Sequence, residues 1–192
     1  MKKILLTISL IAACLSVEAQ PKSAGIRIGA DGIDADYLHS ISSDKFIEGN
    51  IGLDFGFEAN GNAGIKATGI LNFIWGHPAW TDKGRWTLYA GPGISLGFVD
   101  DRVPYDIMNM RFNYFDSGFM IGLVGQVGIE YAFEGIPVQV AIDMRPCIGL
   151  HVNDGSFRIP NTDTKVTYES KVGFYDNGLY GMIPSVSIRY RF

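Results

Sequence analysis

"SVSIRYRF", residues 185–192, alternates without a break: Val186, Ile188, Tyr190 and Phe192 fall on one face of a strand, and Ser185, Ser187, Arg189 and Arg191 on the other. Strand side chains alternate with period two, so this stretch predicts a paired strand with one greasy and one polar face. Chain ends usually fray, and a terminus so patterned needs a neighbour for its backbone and a cover for its apolar side.

The same alternation recurs along the chain at close spacing, which points to an all-β meander. "FIEGNIGLDFGFE" sets Ile47, Ile51, Leu53, Phe55 and Phe57 against Glu48, Asn50, Asp54 and Glu58. "AGIKATGILNFIW" opposes Ile65, Leu71, Phe73 and Trp75 to Lys66, Thr68 and Asn72, and "WTLYAGPGISLGF" opposes Trp86, Leu88, Ile94, Leu96 and Phe98 to Thr87, Tyr89 and Ser95. "GFMIGLVGQVGIEYAF" and "VQVAIDMRPCIGL", joined by "EGIP", form the clearest hairpin. Near the front, "GIRIGA" and "IDADYLHS" read as two short strands about Gly32, which brings the count to eight. Residues 99–116 and 151–177 mix charge with aromatics and are expected to be long loops.

The opening "MKKILLTISLIAACLSVEAQ" carries a basic start, a short apolar core and a small-residue cleavage site at Val17-Glu18-Ala19. It reads as a secretory signal peptide over residues 1–19, with residues 20–192 as the mature domain. Its apolar core is shorter than the roughly 20 residues a spanning helix needs. "IAAC" also resembles a lipobox, so processing before Cys14 is the alternative. Removing Lys2, Lys3 and Glu18 takes the 16 basic and 20 acidic residues to 14 and 19, a net charge of −5, which gives no reason to expect nucleic acid as a partner. Only Cys147 then remains, so no internal disulfide forms.

Charge on the polar faces decides between a soluble sandwich and a membrane barrel. Arg27, Glu48, Asp54, Lys66, Glu130, Asp143, Arg145 and Arg189 stand near the middles of strands. Burying them unpaired in a sandwich core would cost several kcal/mol per ion. A closed barrel reverses the problem, because its apolar face meets lipid and its lumen takes the charge. The expectation is an eight-stranded antiparallel up-and-down transmembrane β-barrel. Arg27, Glu130, Asp143, Arg145, Arg189 and Arg191 are expected to pair inside it. Tyr37, Phe46, Trp75, Trp86, Tyr131, Phe133, Tyr190 and Phe192 would form the aromatic girdle on the periplasmic side, with Phe55, Phe57, Phe98 and Phe119 opposite.

On "GIRIGA", "FIEGNIGL", "YAGPGISLGF", "GQVGIEYAFEGIPVQVAIDMRPCIGL" and "SIRYRF", the chain resembles the small outer-membrane β-barrel proteins of the OmpA/OmpX/OmpW kind, and the outer membrane protein β-barrel domains of Gram-negative anaerobes. The resemblance implies residence in the outer membrane. It also implies recognition of the last strand, with Phe192 as its terminal aromatic, by the outer-membrane assembly machinery.

A lumen this narrow, filled by side chains, suggests a structural or surface-interaction barrel acting through residues 99–116 and 151–177. Two other classes remain. A transport barrel would use the space beside Gly91, Gly93 and Gly97. A lipid-modifying enzyme would need a His with a nucleophile and a carboxylate, for which His151 near Asn153, Asp154 and Ser156 is the candidate, with His39 and His77 elsewhere. The G-P-G at 91–93 precedes no helix and is no phosphate loop. Asp100, Asp101 and Asp106 lack the spacing of a calcium loop. No catalytic set, metal site or cofactor is expected.

Overall fold

The computed structural model describes residues 21–54, 64–107, 110–153, 156–158, 165–167, 172–177 and 181–192. The signal segment, Cys14, Phe55, Phe57 and Asp154 lie outside the described residues. The strands are β1 (Lys22–Gly29), β2 (Gly32–Ser42), β3 (Lys45–Asp54), β4 (Gly64–Gly76), β5 (Arg85–Ile107), β6 (Met110–Ala132), β7 (Val138–Met144), β8 (Cys147–Asn153), β9 (Ser156–Arg158), β10 (Lys165–Thr167), β11 (Val172–Asp176) and β12 (Ser185–Arg191).

Strands β1 to β6 pair antiparallel, each with the next. The far wall of β6 pairs with β8 through Gly118–Val124 and with β7 through Val127–Ala132, so β7 and β8 are one wall strand broken at Arg145 and Pro146. Strands β11 and β12 pair with β8 and β7 in turn and form the eighth wall strand. The ring closes where β12 pairs with β1, from Ser23↔Arg191 to Ile28↔Val186. The chain thus folds as a closed eight-strand antiparallel β-barrel. The terminal strand ends paired because it is the seam: Phe192 N donates to Lys22 O at 2.9 Å.

The break in the seventh wall strand has a local cause. Pro146 has no N–H to offer a ladder. The side chain of Asn177 stands in for a peptide group there, its Nδ2 donating to Arg145 O at 2.9 Å and its Oδ1 accepting from Cys147 N at 2.8 Å. The Arg145 carbonyl and the Cys147 N–H, which would otherwise be orphaned in the wall, thereby gain partners.

Burial is inverted relative to a soluble protein. Ile51, Phe98 and Leu123 are 65–66% exposed on the outer wall, whereas Arg27 and Arg189 are 2% and 1% exposed within the lumen. On the terminal strand, Val186, Ile188, Tyr190 and Phe192 face outward and Ser185, Ser187 and Arg189 inward. Two apolar clusters also lie in the interior: Leu38, Phe46 and Tyr89 with Ile74, and Ile70, Val99, Met120, Val124, Cys147 and Tyr175.

Three expectations need correction. Phe46 is not part of an outer girdle; it shares the inward phase of Glu48 and Asn50 and packs edge-on against Tyr89 at 5.2 Å. Residues 99–116 are not a loop: Val99 to Ile107 and Met110 to Asp116 continue the β5–β6 ladder without a register shift. Charge mixed with aromatics suggested a loop, but a two-stranded ladder beyond the ring tolerates polar residues, and a proline such as Pro104 at an edge removes no bond the sheet needs. Segment 151–177 likewise contains structure, the β9–β10 ribbon (Phe157↔Val166) and β11.

The glycines facing the lumen mark a close approach of strands rather than open space. A Cβ at Gly91, Gly93 or Gly97 would strike carbonyl oxygens of β4, at Leu71, Gly69 and Ile65. The tightly curled wall brings neighbouring strands too close on the concave side for a side chain at these positions.

Candidate functional site

The lumen is the most elaborate polar site among the described residues, and it is built by alternate positions of six strands, with Arg145 added just after one of them. From β1, Arg27 donates through Nη1 to Asp34 at 2.8 Å, through Nε to Asp143 at 3.2 Å and through Nη2 to Ser185 Oγ at 2.6 Å. Just after β7, Arg145 pairs with Glu48, donates to Asn50 Oδ1 at 2.8 Å and holds its Nε 2.9 Å from Asp143 without hydrogen-bond alignment. From β12, Arg189 pairs with Asp36, with Glu48 at 3.1 Å and with Glu130 at 3.0 Å. Two amides extend the network: Gln126 donates to Glu48 at 3.2 Å, and Gln139 donates to Glu130 at 2.9 Å.

Of the residues expected to pair, the structure brings Arg27, Glu130, Asp143, Arg145 and Arg189 into this one network. Arg191 stands apart. Its Nη2 donates to the carbonyls of Phe133 and Ile136 at 2.8 and 3.0 Å, because the last turn of alternation carries it to the rim. Sequence reasoning placed Glu48 on the polar face but singled out neither it nor Asp34 and Asp36 as partners. Their role depends on which strands face each other across the lumen, and alternation along one strand carries no such information.

Toward the end of the barrel away from the termini, Lys66 bridges Asp31 at 3.1 Å and Asp54 at 3.0 Å. Asp31 lies in the turn between β1 and β2, outside the strands. Burial disfavours its ionised form, but the Lys66 ammonium and the Arg27 guanidinium outweigh that and draw the carboxyl down from 3.8 to about 2. A depressed folded value contributes stability above the unfolded value and loses it as pH falls through the folded one. Asp31→Asn is therefore expected to cost about 2 kcal/mol near neutrality and to match the parent near about pH 2. Unfolding midpoints across that range decide it, and an equal deficit at both ends would contradict the assignment.

Between Arg27, Lys66, Ser95, Arg145, Cys147 and Asn177 lies a cavity of about 10 Å³, room for one water at most. The end holding the termini opens as a chamber of about 670 Å³ whose lining includes Lys22, Phe46, Arg85, Glu130 and Arg191. Guanidiniums from β1, from Arg145 just after β7 and from β12 thus reach across the lumen to carboxylates on β2, β3, β6 and β7.

Aromatics ring the outer wall at the terminal end. Trp80, Trp86, Tyr131 and Phe133 stack in sequence, with centroids 5.5, 4.7 and 4.8 Å apart. Two of their polar atoms are anchored: Trp86 Nε1 donates to Thr81 Oγ1 at 3.2 Å and Tyr131 OH to Lys83 O at 2.8 Å. Trp75, Tyr190 and Phe192 are exposed on the same outer surface. Trp80 escaped sequence reasoning because it sits in a turn, where no periodicity marks a face.

The three histidines do not meet. His151 Nε2 lies 3.2 Å from Val99 O in the lumen, His77 Nδ1 lies 3.0 Å from Trp86 O at the rim, and His39 belongs to β2. Among the described residues no group of three or more His, Cys, Asp or Glu is arranged to hold a metal ion. Comparison with protein-family models, curated proteins and solved structures found no match to the chain.

Proposed function

We propose that this barrel is an integral outer-membrane protein, sealed to solutes by its own side chains, which presents the long β5–β6 hairpin to the exterior as an interaction element. The observation that carries the reading is the inverted burial. An aliphatic side chain left in water forgoes about 1.5–3 kcal/mol each, and soluble monomers rarely expose contiguous apolar patches beyond a few hundred Å². Here Ile26, Ile51, Ile94, Ile121, Ile148 and Ile188 stand exposed on successive parts of the wall. Lipid is the solvent in which that surface is stable, and the aromatic stack at one end suits a headgroup interface.

The lumen supports the sealed state, since Arg27, Arg145 and Arg189 reach across it to buried carboxylates on other strands. Lipid contact, insertion through the assembly machinery and the terminal aromatic Phe192 belong to the same reading. Membranes from cells making the protein are to be extracted with alkaline carbonate, and the purified barrel added to planar bilayers. The protein is expected to stay with the outer-membrane fraction and to give no porin-sized conductance steps. A freely soluble product, or steady large steps, would overturn the location or the seal respectively.

A further inference from the structure

The chamber at the terminal end of the barrel encloses about 670 Å³. That is within the range of about 300–1,000 Å³ usual for pockets that hold a small molecule. Part of its lining is apolar. Leu38, Phe46 and Ile74 reach it, and they belong to one interior cluster with Tyr89.

Six charged residues also line the chamber, and burial divides them. Asp82, Arg85 and Glu134 are exposed, at or beside the turns around the mouth. Lys22, Glu130 and Arg191 stand further in, with Lys22 only 8% exposed and the other two half-buried. Glu130 is already engaged, accepting from Arg189 at 3.0 Å and from Gln139 at 2.9 Å. Arg191 gives its Nη2 to the Phe133 and Ile136 carbonyls, and its buried Nε has no acceptor. Among the described residues it forms no salt bridge. Carbonyls hold a guanidinium in place without cancelling its charge. The inner lining therefore joins an apolar surface to two cationic side chains, while its one carboxylate is shared with Arg189 on the lumen side.

We propose that the chamber binds a fatty carboxylate of medium chain length, its head at Arg191 and Lys22 and its chain against Leu38, Phe46 and Ile74. The head supplies a counter-charge to the Arg191 guanidinium, and the chain takes apolar surface out of water. Charge selects the occupant. A cationic amphiphile would meet two like charges, and a bare anion would leave the apolar lining wet. The inference extends the sealed-barrel reading to the mouth of the lumen, and its failure would leave that reading intact.

The test is equilibrium dialysis against the full-length protein in phosphatidylcholine nanodiscs, with uptake by empty nanodiscs subtracted. Radiolabelled octanoate, octylammonium and acetate are the probes. Octanoate alone is expected to bind saturably, and the other two to match the blank. Arg191→Gln should weaken octanoate binding about tenfold or more, and Arg191→Lys should restore part of it. Ser40→Trp, at a lining position, should fill the chamber and abolish binding with Arg191 intact. Arg191→Gln removes only bonds to carbonyls at the rim, so it keeps the barrel closed even if the tryptophan variant does not fold. Equal uptake of octylammonium, unchanged octanoate binding in Arg191→Gln, or octanoate uptake no greater than that of empty nanodiscs would each overturn the proposal.

Discussion

Glu48→Ala is expected to destabilise the barrel by about 3–5 kcal/mol, the usual cost of removing one partner from a buried ion pair. Glu48 is fully buried and accepts from Arg145, Arg189 and Gln126. Without it, Arg145 keeps Asn50 and an imperfectly aligned Asp143, and a buried guanidinium loses its closest counter-charge. Arg191→Ala is the matched control. Its two bonds go to carbonyls at the rim, and its loss is expected to cost under about 1 kcal/mol. Urea unfolding in lipid vesicles, followed by tryptophan fluorescence, measures both. A Glu48 variant within about 1 kcal/mol of the parent would mean that the lumen is well hydrated and the ion pairs are weak.

Gly25→Val is expected to abolish ring closure. A Cβ at Gly25 would collide with the Ile188 carbonyl and lie 2.7 Å from the Cα of Arg189, so the obstacle is backbone rather than a side chain that can swing away. The clash falls on the seam between β1 and β12, and relieving it means separating the strands that close the barrel. The cost should exceed the roughly 1–3 kcal/mol of ordinary overpacking, and the readout is loss of the compact, heat-modifiable species on gels. Gly49→Val offers the contrast: nothing lies within 4 Å of a Cβ there, and a β-branched residue suits a strand better than glycine. That variant should fold as well as the parent or better. If both variants fold alike, the close approach at the seam is not what demands glycine at position 25.

Alternation made the wall legible from sequence, because each strand reports which of its residues share a face. Ile188 and Arg189 could be sorted to opposite sides without knowing any neighbour. The choice of partner across the lumen was not legible in the same way. Arg189 meets Asp36, Glu48 and Glu130 because of how three separate strands lie around the ring, which is a property of register and tilt. Phe46 shows the limit at a strand's first residue: its aromatic character suggested the rim, and its phase put it inside. Val99–Asp116 shows another limit, since polar composition signals a loop only where a strand must face lipid or core. The curvature that forces Gly91, Gly93 and Gly97 appears only once the sheet is closed.

The cross-lumen pairs also bear on how the chain becomes a barrel. Arg27 meets Asp143 across 116 residues of sequence and Arg189 meets Asp36 across 153, so the first strands wait for the last before their charges are matched. Contacts of such separation make for slow folding. In the membrane proposed for it, a sheet lacking its final strand would hold Arg27, Asp34 and Asp36 with no counter-ions to share and no closed interior to shelter them. An unfinished barrel has no comfortable resting state in lipid. The network therefore acts as a proofreader of completion, penalising every truncated or misregistered ring and releasing its stabilisation only when the seam is made.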